Sequence, residues 1–340
     1  MGYQLRIVSF PSLSRKFMGE RGFLTPLLIC SSLLFLMIPV RAFTWGTATH
    51  AYFAKELGQG MLNSQEIYGA TVPDLFNLNF DSPYYDYMVG RTHRHETTVK
   101  TKARKMGLDT FAFGFVSHNE RWGADYTAHR NGRTTKGGYV ITKSDGLAPK
   151  LVAPLQDILE NAGFPNGSFF AGYFASQVAH PLIETAIDLL IKRNEDPSIG
   201  LELLHSAQDR STSVPDLLVS AYAKGLARHQ KISSDEASQI IREAEADYQQ
   251  MMILYGEVFT HEESVTIQEV AEQGAILIEG YIKSATGEEI DVPSQVLVDL
   301  LHLAIQEVEG DYGQEIASTL SHLKSRSTIK TYLRRILMTY

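Results

Sequence analysis

Residues 169–193, FFAGYFASQVAHPLIETAIDLLIKR, are a long apolar run that stops in the polar turn Asn194-Glu195-Asp196-Pro197. The run lacks the strict alternation of a strand, and its length suits a helix. Upstream, Leu151, Leu155, Ile158 and Leu159 mark one face of a second helix, which ends before Gly163-Phe164-Pro165. Downstream, segments 213–229, 234–255, 262–284, 294–309 and 313–338 carry the same periodicity. Ser233-Ser234-Asp235-Glu236 and Ser294 are expected N-terminal caps. No alternating series is long enough to build a sheet. The expected fold class is all-α, a multi-helix bundle.

The chain has 340 residues, 44% hydrophobic and 21% charged, an ordinary globular composition. Its single cysteine, Cys30, lies in the apolar stretch near the start, so no disulfide joins later segments. Arg15, Lys16 and Arg21 precede the apolar run 24–40, and Arg41-Ala42 follows it, the pattern of an export signal. The rival reading is one N-terminal membrane anchor. The first 44 residues hold five of the 31 basic and one of the 39 acidic residues, so the remainder carries a formal charge of −12. Such a surface repels polyanions at long range and argues against nucleic acid as the main partner. Two turn-prone stretches, 81–87 and 131–146, are expected loops.

Six of the eleven histidines lie between His50 and Glu184, together with the informative carboxylates. Trp45-Gly46-Thr47-Ala48-Thr49-His50 follows the signal-like stretch directly. Cleavage after Thr44 would leave Trp45 with a free amine that, with its own carbonyl, can chelate a divalent metal beside His50. Cleavage after Ala42 would leave Trp45 as a packing residue. Asp74 follows an apolar approach and Pro73. His93 and His95 stand at alternate positions, one expected to face inward and the other solvent. In 113–129, His118, Asp125 and His129 fall on one stripe if the segment is a single helix. His180 and Glu184, one turn apart, share a face and can grip one ion.

These motifs, Trp-Gly-x-x-x-His, Gly-x-x-Ser-His, Asp-x-x-x-His and His-x-x-x-Glu in this order, resemble the zinc-dependent phospholipase C and fungal zinc single-strand nuclease superfamily. The resemblance covers 45–184. It implies two to three zinc ions. Trp45 and His50 would hold one. His95 or His93, with His118, would hold its partner, bridged by Asp125 with Asp74 beside them. His129, His180 and Glu184 would hold the third. Asp74 and Asp125 are the candidate catalytic carboxylates, Asp74 as the residue that orients or deprotonates the attacking water. One departure matters. The family separates its His and Asp by three residues, whereas six separate His118 from Asp125, about 10 Å of rise on a regular helix. An inserted bulge or a break at Gly123 would close that gap; otherwise Glu120 substitutes or one metal is missing.

The resemblance thus implies hydrolysis of a phosphodiester by metal-bound hydroxide, with phospholipid head groups as the leading substrate. A secreted nuclease or nucleotidase, or a non-catalytic zinc-stabilised module, are the alternatives. The expected organisation is an export signal or anchor at 1–44, a catalytic core at 45–193, and a helical region at 194–340 packed on or extending it. Location is expected to be exported: periplasmic, extracellular or membrane-associated. In the C-terminal segment Lys324, Arg326, Lys330, Arg334 and Arg335 interleave with Leu323, Ile329, Leu333 and Leu337, a pattern suited to peripheral membrane contact or to a closing helix with snorkelling basic residues.

Overall fold

The computed structural model of the chain describes residues 45–58, 64–161, 167–286, 289–326 and 329. Among them stand 14 α-helices and no strand, as the periodicity requires. The first six are short: α1 Thr47–Leu57, α2 Ser64–Thr71, α3 Tyr85–Arg94, α4 Thr97–Met106, α5 Asp109–His118 and α6 Ala124–His129. A 3-10 helix, Val72–Asn79, continues directly from α2. The next two are long, α7 Tyr139–Asn161 and α8 Gly167–Leu190, and α8 runs into a π-turn at Ile191–Glu195. Six more follow: α9 Ile199–Gln208, α10 Val214–Gln230, α11 Ser234–Val258, α12 Glu263–Thr286, α13 Ser294–Val308 and α14 Tyr312–Ser325.

The apolar run that decides the fold class becomes α8. Its Phe174, Val178, Leu182, Ile183, Ile187 and Leu190 are all buried, because α7 and α13 pack along it and α1 crosses it. A helix apolar on most of its circumference finds partners on most sides, and burial of each large aliphatic side chain stabilises the bundle by about 1.5–3 kcal/mol. Helices of the second half pack directly on the first: α9 on α1 and α2, α11 on the 3-10 helix, α14 on α1 and α6.

Local expectations fared unevenly. Ser233 caps α11, its side chain accepting from Glu236 N at 3.0 Å. Ser294 is instead the first residue of α13; Pro293 occupies the cap position, with no side-chain cap. Part of each expected loop is helical. Residues 139–146 open α7 because tertiary contacts hold them there: Tyr139 Oη donates to Asp311 Oδ1 at 2.6 Å and Lys143 pairs with Asp311 at 2.9 Å. Likewise Tyr85 and Tyr87 belong to α3. The closing segment is not one unbroken helix, since α14 ends at Ser325 and Arg326 is extended, its guanidinium 2.8 Å from His322 Nε2. Lys330, Leu333, Arg334, Arg335 and Leu337 lie outside the described residues, as does the expected signal or anchor at 1–44. No helix among the described residues is long and apolar enough to cross a membrane.

Candidate metal centre

The site begins with two glycines. A Cβ on Gly69 would lie 2.1 Å from Phe111 O, and one on Gly114 2.0 Å from Glu66 O, so α2 and α5 touch backbone to backbone. That approach brings the Ala70 carbonyl, on α2, to His118 Nδ1 at 2.8 Å. A carbonyl only accepts, so Nδ1 carries the hydrogen and, in the neutral ring, Nε2 keeps a lone pair. His93 is held in the same way, its Nδ1 3.0 Å from Val89 O. Both rings are thus fixed with Nε2 pointing inward, the usual outer-partner arrangement of metal-binding imidazoles.

Five residues, 119–123, separate α5 from α6. Asn119 Oδ1 accepts from the N–H groups of Arg121 and Trp122, and its Nδ2 donates to Val116 O at 2.6 Å. Gly123 then passes so close to α5 that a Cβ would lie 2.5 Å from Ser117 O and 2.6 Å from His118 O. The stripe expected on a single helix is therefore wrong in form. The helix ends at His118 and the chain doubles back through 119–123, with Gly123 at its close, and this puts Asp125 Oδ2 3.0 Å from His118 Nε2.

Around that pair the site closes. His50 Nε2, from α1, lies 3.2 Å from Asp125 Oδ1, and its ring stacks on that of His118 at 3.9 Å. His93 Nε2 lies 3.2 Å from Asp74 Oδ1 and 3.8 Å from Asp125 Oδ2. Asp74, on the 3-10 helix, also accepts from Asn77 Nδ2 at 2.9 Å. A second set adjoins: His180 Nε2 lies 2.9 Å from Glu184 Oε1 and 3.4 Å from His129 Nε2. Ligand atoms of His50, Asp74 and His118, of His93, His118 and Asp125, and of His129, His180 and Glu184 each fall within 4.8 Å of one another.

Two observations test whether a metal fits. Both carboxylate oxygens of Asp125 and Nε2 of His118 are buried with no hydrogen-bond partner despite their short approach. Donors that converge at hydrogen-bond distance without hydrogen-bond alignment are arranged around a common centre, and leaving them uncompensated costs several kcal/mol. The charges agree. Burial alone would raise Asp125, but His118 and His50 overcome it and hold its carboxyl well below the usual carboxylate range. Burial would likewise lower His118, yet Asp125 and Asp74 lift its ring to about 9. Glu184 is pushed well above its ordinary value by burial and by the nearby charges of Asp74, Asp188 and Asp125. The imidazoles balance Asp125, whereas Glu184 stays crowded by burial and neighbouring carboxylates; these groups could hold metal ions.

Comparisons with protein-family models, curated proteins and solved structures find no match.

Of the expected ligands, His50, Asp74, His93, His118 and Asp125 meet in one cluster, and His129, His180 and Glu184 in the next. His95 does not join them. It lies past the end of α3, exposed, where slight burial and the guanidinium of Arg91 depress its ring. Glu120 does not substitute for Asp125, because it pairs outward with Arg94 at 2.7 Å and Arg130 at 3.3 Å. The Trp45 indole is a core group, stacked on Tyr139 at 5.8 Å, with Nε1 donating to Ala124 O at 3.0 Å and Thr127 Oγ1 at 3.1 Å. Its main-chain amine is free to chelate only if residues 1–44, outside the described part, are removed. Sequence reasoning missed Asp188, whose signal was its place one turn beyond Glu184 on the same face of α8.

Proposed function

We propose that the chain is an exported, zinc-dependent phosphodiester hydrolase acting on phospholipid head groups. One observation carries the reading: five nitrogen and oxygen ligands from five separate helical elements converge in one buried cluster, with a second set of three beside it. A set of imidazoles and carboxylates with no thiolate suits zinc. Zinc bound there would supply Lewis-acid polarisation of a phosphoryl oxygen and activation of water near neutral pH.

The chain's own residues account for the rest. Asp74 is held ionised: burial works against this, and His118 and His93 outweigh it. Anchored by Asn77, it presents a fixed acceptor that orients a water. His93 and His118, tied by Nδ1 to backbone carbonyls, cannot rotate and so keep the donor geometry preorganised. His180 is partly exposed rather than sealed, so the second set is open to solvent on that side. The acidic charge of the chain beyond residue 44 favours a lipid over a nucleic acid substrate.

The test is metal analysis of the full chain together with hydrolysis of bis-p-nitrophenyl phosphate. The expected result is two to three zinc ions and activity lost in His180→Ala and Glu184→Ala. A protein that binds zinc and hydrolyses neither this diester nor phospholipid vesicles is a zinc-stabilised module instead. N-terminal sequencing of the exported protein decides whether Trp45 contributes its amine.

A further inference from the structure

His50 reaches the cluster from the first turn of α1, where the N–H groups have no helical acceptors. The residue that would ordinarily cap that turn is Gly46, which has no side chain to do so. A carboxylate from the other half of the core takes its place. Asp188 Oδ2 accepts from Ala48 N at 2.9 Å, and Oδ1 from Thr49 N at 2.8 Å and Thr49 Oγ1 at 2.6 Å. Tyr255, on α11, donates its hydroxyl to Oδ2 at 2.9 Å. Gly46 is also a steric requirement, since a Cβ there would stand 2.5 Å from both carboxylate oxygens.

Asp188 is fully buried on α8, one turn beyond Glu184 and two beyond His180. The helix that carries two ligands of the second set therefore also grips the helix that carries His50. Three hydrogen bonds from α1 to one carboxylate, itself held by Tyr255, fix both the rotation and the height of that first turn, and a negative charge at a helix N-terminus is itself favourable. His50 follows Thr49 directly, so this grip sets where its imidazole lies relative to Asp125.

We infer that Asp188 is a positioning residue: a remote N-cap that aims His50 into the cluster and so governs metal binding there without touching the metal. This rests on the metal reading above and not on the reaction assigned to it. Outer partners of this kind typically contribute 10- to 100-fold in metal affinity.

The experiment is titration of the metal-stripped full chain with Co2+, which reports each ion through its visible absorption, with helix content followed by circular dichroism. Asp188→Ala should weaken binding at the His50 cluster by about 10- to 100-fold, with no loss at the His129–His180–Glu184 site, where removing the Asp188 charge only eases ionisation of Glu184. His180→Ala should do the converse. Asp188→Asn, which keeps one acceptor oxygen, should restore part of the loss, and Thr49→Val, which removes one of the four bonds, should give a smaller loss of the same kind. Unchanged affinity in Asp188→Ala overturns the inference, as does equal loss at both sites with helix content retained. If Asp188→Ala does not fold, Asp188→Asn and Thr49→Val decide, and unchanged His50-cluster binding in both overturns it. A chain that shows this selective loss yet hydrolyses no phosphodiester refutes the proposed reaction and leaves the role of Asp188 standing.

Discussion

His118 Nε2 and Asp125 Oδ2 face each other at 3.0 Å although they belong to different helices, because the turn between them folds α6 back against the end of α5. Neither atom has a hydrogen-bond partner. The turn depends on Gly123, whose missing side chain lets the backbone pass the His118 carbonyl. Gly123→Ala should therefore destabilise the fold by about 1–3 kcal/mol and separate the pair. Thermal unfolding and metal content measured on the same preparation check this; a variant with wild-type values for both would show that the turn has room to spare.

The two neighbouring histidines of α3 and its end provide an internal control. His93→Ala should lower metal affinity by about 100-fold or more, beyond what outer partners contribute, while His95→Ala should leave it unchanged. Equilibrium dialysis against zinc separates them. Equal effects of the two substitutions would contradict the assignment of His93 as the inward-facing residue.

Metal removal should cost the fold stability. Asp74, Asp125 and Glu184 lie in the core and pair there with histidines. A ligand present at about a thousand times its Kd stabilises the native state by about 4 kcal/mol. Chelation is thus expected to lower Tm by about 5–15 °C, and added zinc to restore it. Scanning calorimetry with and without chelator reads the difference directly, and superimposable curves would argue against a bound ion.

A group away from the centre predicts a pH effect of its own. Burial pushes the Glu66 carboxyl up to about 8, against 4.5 for the free side chain. Below 4.5 both folded and unfolded chains hold the proton and the group is neutral to stability. Between 4.5 and 8 the unfolded chain releases a proton that the folded chain keeps, so stability falls as pH rises, by at most about 1.4 kcal/mol per pH unit. Glu66→Gln removes that slope. Its stability relative to wild type should therefore rise from pH 5 to pH 8 in urea titrations; parallel pH profiles would show that Glu66 ionises normally.

The amino-acid sequence by itself determined the fold class and most of the ligand chemistry. Helical periodicity is a local property, visible at 169–193 without any partner, and the crowding of imidazoles and carboxylates between His50 and Glu184 is a matter of composition. That a straight helix would hold His118 and Asp125 too far apart was legible too, but a bulge, a break at Gly123 and Glu120 as substitute all stayed open. Tertiary structure decided what depends on a distant partner. It selected His93 over His95, since only the packing of α3 against the 3-10 helix says which ring meets Asp74. It turned 139–146 from loop to helix through contacts with Asp311. It alone made Asp188 the cap of α1, for no local signal tells a carboxylate on α8 which distant N–H groups lack an acceptor until the two helices are packed side by side.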